Sequence, residues 1–174
     1  KIIKTSDISI KDIEFKRKYL KKFIERGFPN KKQENWKLLD ISQIIQKNIG
    51  DLSFFNDYSL PNKIDTSIIV DGLEHNKIIF INGRIEKIDF NYEDKSQIQI
   101  SDEIEKKILF DSENSLIDLN NAFTNKTFKI TIKENYSLKK PLIIYHTTNE
   151  KIKSKSINLR LDFELEQNSS LRLI

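Results

Sequence analysis

The sequence predicts a mainly β fold with an α-helical, mixed α/β region at its N-terminal end. Three observations lead there. Near the start, Phe15, Tyr19, Leu20, Phe23 and Ile24 recur at helical spacing. In the middle, two apolar runs flank Asn82-Gly83, the strongest short-range signal for a β-hairpin. From Thr127 onward, apolar and polar residues alternate with a period of two, and short polar turns with no helices separate the runs. Periodicity alone reads such a tail as either a β-sandwich or a β-solenoid. The chain of 174 residues suits one domain or two small ones sharing a core. Its division is expected near residue 110, with a mixed α/β unit over 1–110 and a linking helix plus β segments over 111–174.

The elements follow in order. A helix is expected over 10–26, with Ser9 as its cap and Asp12 in the capping-box position. Gly27 stands where a left-handed residue ends a helix, and Pro29 prevents continuation. The opposite face, with Lys11, Lys18, Lys21, Lys22 and Glu25, reads as a solvated surface with i,i+4 pairing. Trp36, the single tryptophan, is expected to anchor the following turn, with Glu34 and Lys37 pairing beside it. Asp40 is expected to cap a helix over 41–49 that buries Ile41, Ile44 and Ile45. Residues 50–65 read as a loop, Ser67 to Val70 as a short strand and Asp71-Gly72 as a turn. The hairpin joins 77–81 to 84–88, 97–100 reads as a strand and 102–110 as a helix. A helix over 112–123 would present Leu116, Leu119 and Phe123, and strands follow at 127–133, 140–146 and 157–166, with another beginning at Leu171.

Composition excludes several classes. Cysteine is absent, which removes disulfides, thiolate metal sites and a cysteine nucleophile. Four glycines and three prolines exclude collagen-like or linker-like chains. No apolar run approaches the roughly 20 residues of a membrane span, and Lys1-Ile2-Ile3-Lys4 opens no signal peptide, so a soluble intracellular protein is expected. The chain has 30 Ile against one Val and one Ala, and 25 Lys against five Arg. Such a bias fits an A/T-rich genome. Lysine is then the default solvated residue here, which weighs against nucleic acid as a partner of the Lys-rich first helix.

Two stretches carry a family resemblance. Gly27-Phe28-Pro29, a polar spacer, Glu34-Asn35-Trp36-Lys37 and an Asp40-led helix form the first. The second is Leu119-Asn120-Asn121-Ala122-Phe123, with the chain's only alanine at the matching place. Together they resemble the SufB/SufD family of iron–sulfur cluster assembly scaffold proteins, on the SufD side. The residues that match are Gly27, Pro29, Glu34, Trp36 and Lys37, then Leu119, Asn120, Ala122 and Phe123, all of structural character. Leu38 departs from the aromatic residue usual after Trp-Lys.

The resemblance implies the start of a right-handed parallel β-helix, a β-solenoid, with 111–174 forming a linking helix and its first turns. It implies a non-catalytic scaffold subunit of the SUF complex. That subunit pairs with a SufB-like partner and, through a C-terminal helical domain, with a SufC-like ATPase. Family members exceed twice this length, so the chain is expected to be the opening part of a longer protein. An uncapped stack would leave an open β edge through which two copies can associate. The family's cluster-handling residues lie later, so no cofactor, metal or catalytic residue is expected within 1–174. The expected location is the cytoplasm, or a plastid or other organelle stroma in a eukaryote.

Other chemistry finds little support in the residues. His75 and His146 are the only histidines, the first expected exposed in a turn and the second a strand-end polar group. Asp89, Glu93 and Asp94 lie near turns and are expected to be solvated. No Gly-x-x-x-x-Gly-Lys loop and no Gly-x-Ser-x-Gly elbow occurs. Asp162 and Glu164 share a strand face, the one pattern compatible with a β-helix carbohydrate-active enzyme. That enzyme and a Lys-rich nucleic-acid-binding module are the rival readings.

Overall fold

In a computed structural model, the structure describes residues 10–48, 53–54, 66–101, 113–124, 127–149, 152 and 154–174. Helix α1 runs Ile10–Arg26 and ends as the sequence dictates. Gly27 takes φ +68° and its N–H returns to the Phe23 carbonyl at 2.7 Å, the single-bond left-handed cap. Phe28 then meets Phe23 edge-on at 5.0 Å, and Pro29 is fully buried. The expected Ser9 cap lies outside the described residues, as does the helix expected over 102–110.

Helix α2 is Ile41–Asn48, capped as expected by Asp40, whose Oδ1 accepts the Gln43 N–H at 3.1 Å. The stripe expected to be buried is not: Ile41 and Ile45 are half-buried and Ile44 is exposed. Helical spacing makes a face amphipathic but does not supply the surface that covers it. The structure also has no strand at 67–70. A single 3₁₀ turn, Thr66–Ile68, stands there, and the Val70 N–H donates to the Tyr145 hydroxyl at 3.2 Å in place of a strand partner. Of the span expected as a loop, Ser53–Phe54 forms β1.

The hairpin forms as its turn requires. Strands β2 (Asn76–Ile81) and β3 (Arg84–Asp89) pair antiparallel, with Asn82 at φ +52° and Gly83 at φ +79° between them. A bulge at Ile79/Phe80 leaves Glu86 as the extra residue of β3. Strand β4 is Ile98–Ser101, and helix α3, Ser115–Phe123, is capped by Asn114 accepting from the Leu116 N–H at 3.0 Å. The remaining strands are β5 (Thr127–Ile132), β6 (Leu142–Thr147), β7 (Lys155–Ser156) and β8 (Arg160–Leu165).

The pairing of these strands corrects the expected fold class. They make two three-stranded mixed sheets, β3-β2-β6 and β4-β5-β8, and a short parallel pair, β1-β7. Each large sheet joins one antiparallel neighbour to one parallel neighbour. The chain is therefore a small mixed α/β fold with three helices and two mixed sheets among the described residues; no β-solenoid or β-helix is indicated. A period of two identifies a strand and its wet face, but the neighbour is chosen by packing between distant segments. Here β2 and β5 each accept an antiparallel partner from the preceding or following local strand. Both sheets draw strands from either side of residue 110.

One core lies between the sheets, built from Ile78 and Phe80 of β2, Phe90, Phe128, Ile130 and Ile132 of β5, and Leu142 of β6. Phe80 and Phe128 meet at 5.4 Å between ring centroids, near edge-to-face. The other face of β2 carries a second cluster, Ile79 and Ile81 with Ile143 and Tyr145 of β6. Burial on both faces explains the unbroken Ile-Ile-Phe-Ile run of β2. Among the described residues no helix is long and apolar enough to cross a membrane.

Candidate functional site

The second of the two stretches that carry the family resemblance lies in α3, and the first begins one residue after α1 ends. Helix α3 packs on α1. Its buried stripe is Ser115, Asp118, Leu119 and Ala122, with Asn121 beside it, at the i, i+3, i+4, i+7 positions of one face. Leu116 and Phe123, expected on that face, are half-buried. Asp118 is 1% exposed, and Arg26, the last residue of α1, reaches it with a guanidinium nitrogen 2.7 Å from Oδ2. The pair spans 92 residues of sequence and ties the end of α1, where Gly27 and Pro29 turn the chain, to the helix that carries Leu119 and Ala122. A buried carboxylate of this kind needs its partner, because an unpaired charge there would carry a desolvation cost of several kcal/mol. Ala122, 6% exposed, is the small residue on the packed face. Asn120 turns the other way and donates from Nδ2 to the Leu159 carbonyl at 3.1 Å, just before β8.

The rest of the first stretch stands apart from this junction. Glu34, Asn35 and Trp36 form a 3₁₀ turn with no buried residue. Trp36 is half-buried rather than an enclosed anchor. Glu34 and Lys37 pair as expected, at 3.2 Å, in full view of solvent.

A polar node between the sheets was not legible beforehand. Glu93, expected to be solvated, is 9% exposed. Its Oε1 accepts from Asn76 Nδ2 at 2.8 Å and the Lys140 N–H at 3.0 Å. Its Oε2 accepts from the Tyr136 hydroxyl at 2.8 Å and the Lys139 N–H at 3.1 Å. Burial pushes the Glu93 carboxyl up, but the bonds from Asn76, the Lys139 and Lys140 backbone and Tyr136 outweigh it and hold its pKa below the usual value. The same burial, with the Glu93 charge adding to it, raises the Tyr136 hydroxyl. The carboxylate thus clasps the connection between β5 and β6 to the segment leaving β3. Asp94, next in sequence, caps the turn Lys95–Gln97 by accepting from the Ser96 N–H at 3.0 Å.

His75 was expected to be exposed and is 4% exposed. One ring nitrogen, Nδ1, lies 2.6 Å from the Leu73 carbonyl, which fixes it as the donor, so Nε2 accepts from the Tyr145 hydroxyl at 2.8 Å. His146 stacks flat on Phe80 at 4.9 Å, and loss of water lowers its pKa. Asp162 is gripped by Arg160 through two bonds of 2.8 and 2.9 Å, and Glu164 by Lys129 at 3.2 Å and the Thr131 hydroxyl at 3.2 Å. Among the described residues no group of three or more His, Cys, Asp or Glu is placed to hold a metal ion.

Asp118 is the buried residue that sequence reasoning passed over, although an acid at the helical spacing of the buried Ser115, Leu119 and Ala122 is a signal. Glu93 gave no signal, since its four donors come from elements that only the fold brings together. No known protein-family model matches the chain, and no curated protein matches it.

Proposed function

We propose that the chain belongs to a non-catalytic scaffold subunit of SufD type. In this reading it works in the cytoplasm or an organelle stroma, beside a SufB-like subunit and a SufC-like ATPase, with the iron–sulfur cluster as cargo of the whole assembly. The observation that carries the reading is the α1–α3 junction. The residues behind the resemblance come from two stretches far apart in sequence, and the Arg26–Asp118 pair, each member one residue before its stretch, joins the helices beside them. Commitment of Asp162 and Glu164 to ion pairs favours a structural role for them over carbohydrate cleavage.

The test is complementation. The full-length gene, placed in a cell lacking its SufD-type scaffold under iron limitation, should restore the activity of iron–sulfur enzymes. Failure to restore it, with the protein present at normal abundance, would contradict the proposal.

A further inference from the structure

The segment before β2 is a strap laid on the outside of its sheet. Every residue from Ser67 to Glu74 is exposed except Ile69, which is half-buried. Ile69 packs on the second cluster, Ile79, Ile81, Ile143 and Tyr145. At Gly72, φ is +75° and no described atom lies within 4 Å of the place a Cβ would take, so the chain there can turn freely. The Glu74–Lys140 pair stands in solvent, where an ion pair holds weakly. The stronger attachment runs through the Tyr145 hydroxyl. Val70 donates its N–H to that hydroxyl at 3.2 Å, Tyr145 donates to His75 Nε2 at 2.8 Å, and His75 Nδ1 donates to the Leu73 carbonyl at 2.6 Å.

These bonds run in one direction and need a neutral imidazole. Nε2 accepts the Tyr145 proton, and the hydroxyl oxygen accepts from Val70. A proton on Nε2 turns that atom into a donor. Tyr145 would then face two donors with its own proton unmet, and a charge would sit on a residue that is 4% exposed. The charged groups around the ring are committed elsewhere. Lys77, on the same face of β2, pairs with Asp89 at 3.8 Å. Glu74 is held by Lys140, and Asp71 is exposed in the turn. Glu93 bonds Asn76, and His146 of β6 stacks on Phe80, both on the opposite face.

We propose that His75 is a proton-operated latch: neutral, it holds the 66–74 strap on β6 through Tyr145, and protonated, it lets the strap swing away and lifts Ile69 from the second cluster. A histidine in water titrates at about pH 6.5, so an opening that frees the ring to take up a proton becomes about tenfold more favourable between pH 7.5 and pH 5.5. The latch does not depend on the scaffold reading, since it rests on hydrogen-bond direction and burial.

Val70 is the only valine, so valine labelled with nitrogen-15 gives the whole chain a single amide resonance, that of the bond to Tyr145. Its exchange with water, corrected for the intrinsic rate, should quicken about tenfold between pH 7.5 and pH 5.5 while far-UV circular dichroism stays unchanged. Ring nitrogen spectra of the two histidines should show His75 with its proton on Nδ1 at the higher pH. Tyr145→Phe keeps the ring in the cluster and removes the hydroxyl, so the Val70 amide should exchange fast at both pH values. His146→Gln should leave the Val70 response in place. An exchange rate indifferent to pH, a His75 proton on Nε2, or a response that disappears in His146→Gln would overturn the proposal. So would a quickening matched by loss of ellipticity, which is unfolding of the whole chain, or a Val70 amide still protected in Tyr145→Phe.

Discussion

Glu93→Gln tests the interior polar node. The carboxylate offers two oxygens to four donors, and two of those donors are backbone N–H groups, Lys140 on Oε1 and Lys139 on Oε2. A glutamine side chain keeps one oxygen and replaces the other with an amide NH₂. Either orientation sets that NH₂ against one backbone N–H that cannot turn away. Tyr136 can rotate its hydroxyl to accept instead, so it recovers part of the loss only when the amide nitrogen takes the Oε2 position. The change removes charge-assisted bonds worth about 1.5–3 kcal/mol each and leaves a buried donor unmet at about 1–3 kcal/mol. Allowing for relaxation, the expected loss is about 2–4 kcal/mol. Urea unfolding at neutral pH, followed by far-UV circular dichroism, reads it as a lower midpoint with unchanged slope. The sign with pH follows from the lowered pKa. The stabilisation from Glu93 is present above the ordinary carboxylate value of 4.5 and is lost as pH falls through the lower folded value. Glu93→Gln should therefore flatten the acid limb of the stability profile. A loss below about 0.5 kcal/mol, the range of ordinary surface changes, would refute the reasoning.

Other substitutions separate the remaining forces. Gly27→Ala meets open space at φ +68°, so its cost in a thermal melt is conformational alone, about 1–2 kcal/mol. Gly83→Ala should cost more, because its Cβ would lie 2.6 Å from Ile157 Cγ2; Gly83→Ala with Ile157→Ala should recover the steric part and no more. Arg26→Ala should cost about 3–5 kcal/mol in urea by stranding the Asp118 carboxylate, whereas Lys21→Ala, losing an exposed pair to Glu25 at 3.9 Å, should cost under about 0.5 kcal/mol. His146 has a lowered pKa, so its protonation favours the unfolded chain and stability declines as pH falls below about 6.5. Melts of His146→Gln between pH 7 and pH 5 should show a smaller decline.

What was legible in the sequence was local. Gly27 and Pro29 end α1 because a left-handed cap and a missing N–H act within one turn. Asn82-Gly83 makes its hairpin because only residues tolerant of positive φ fit that turn. Alternation located β5 and β8, but not the expected wet face: Asp162 is half-buried, Leu165 is exposed and Thr131 is buried. What failed was non-local. The pairing of β2 with both β3 and β6 is a choice among distant strands, and a period of two is silent on it. His75 and Glu93 look like turn residues until Tyr145 of β6 meets the first and the connection before β6 closes over the second. Ile44 has the spacing of a core residue and no core to enter. In the junction, Leu119 and Ala122 were read from resemblance, while Asp118 just before them was hidden by its polarity, which Arg26 neutralises.

The central claim is that this polypeptide serves by assembling with other subunits. Native mass spectrometry of the full-length protein, purified gently from its own cells, tests it most directly. The account predicts a mixed assembly containing a SufB-like subunit and a SufC-like ATPase, and a weakened assembly when Asp118→Ala loosens the junction. A full-length protein recovered only as a lone monomer, at any concentration and without either companion, would contradict it.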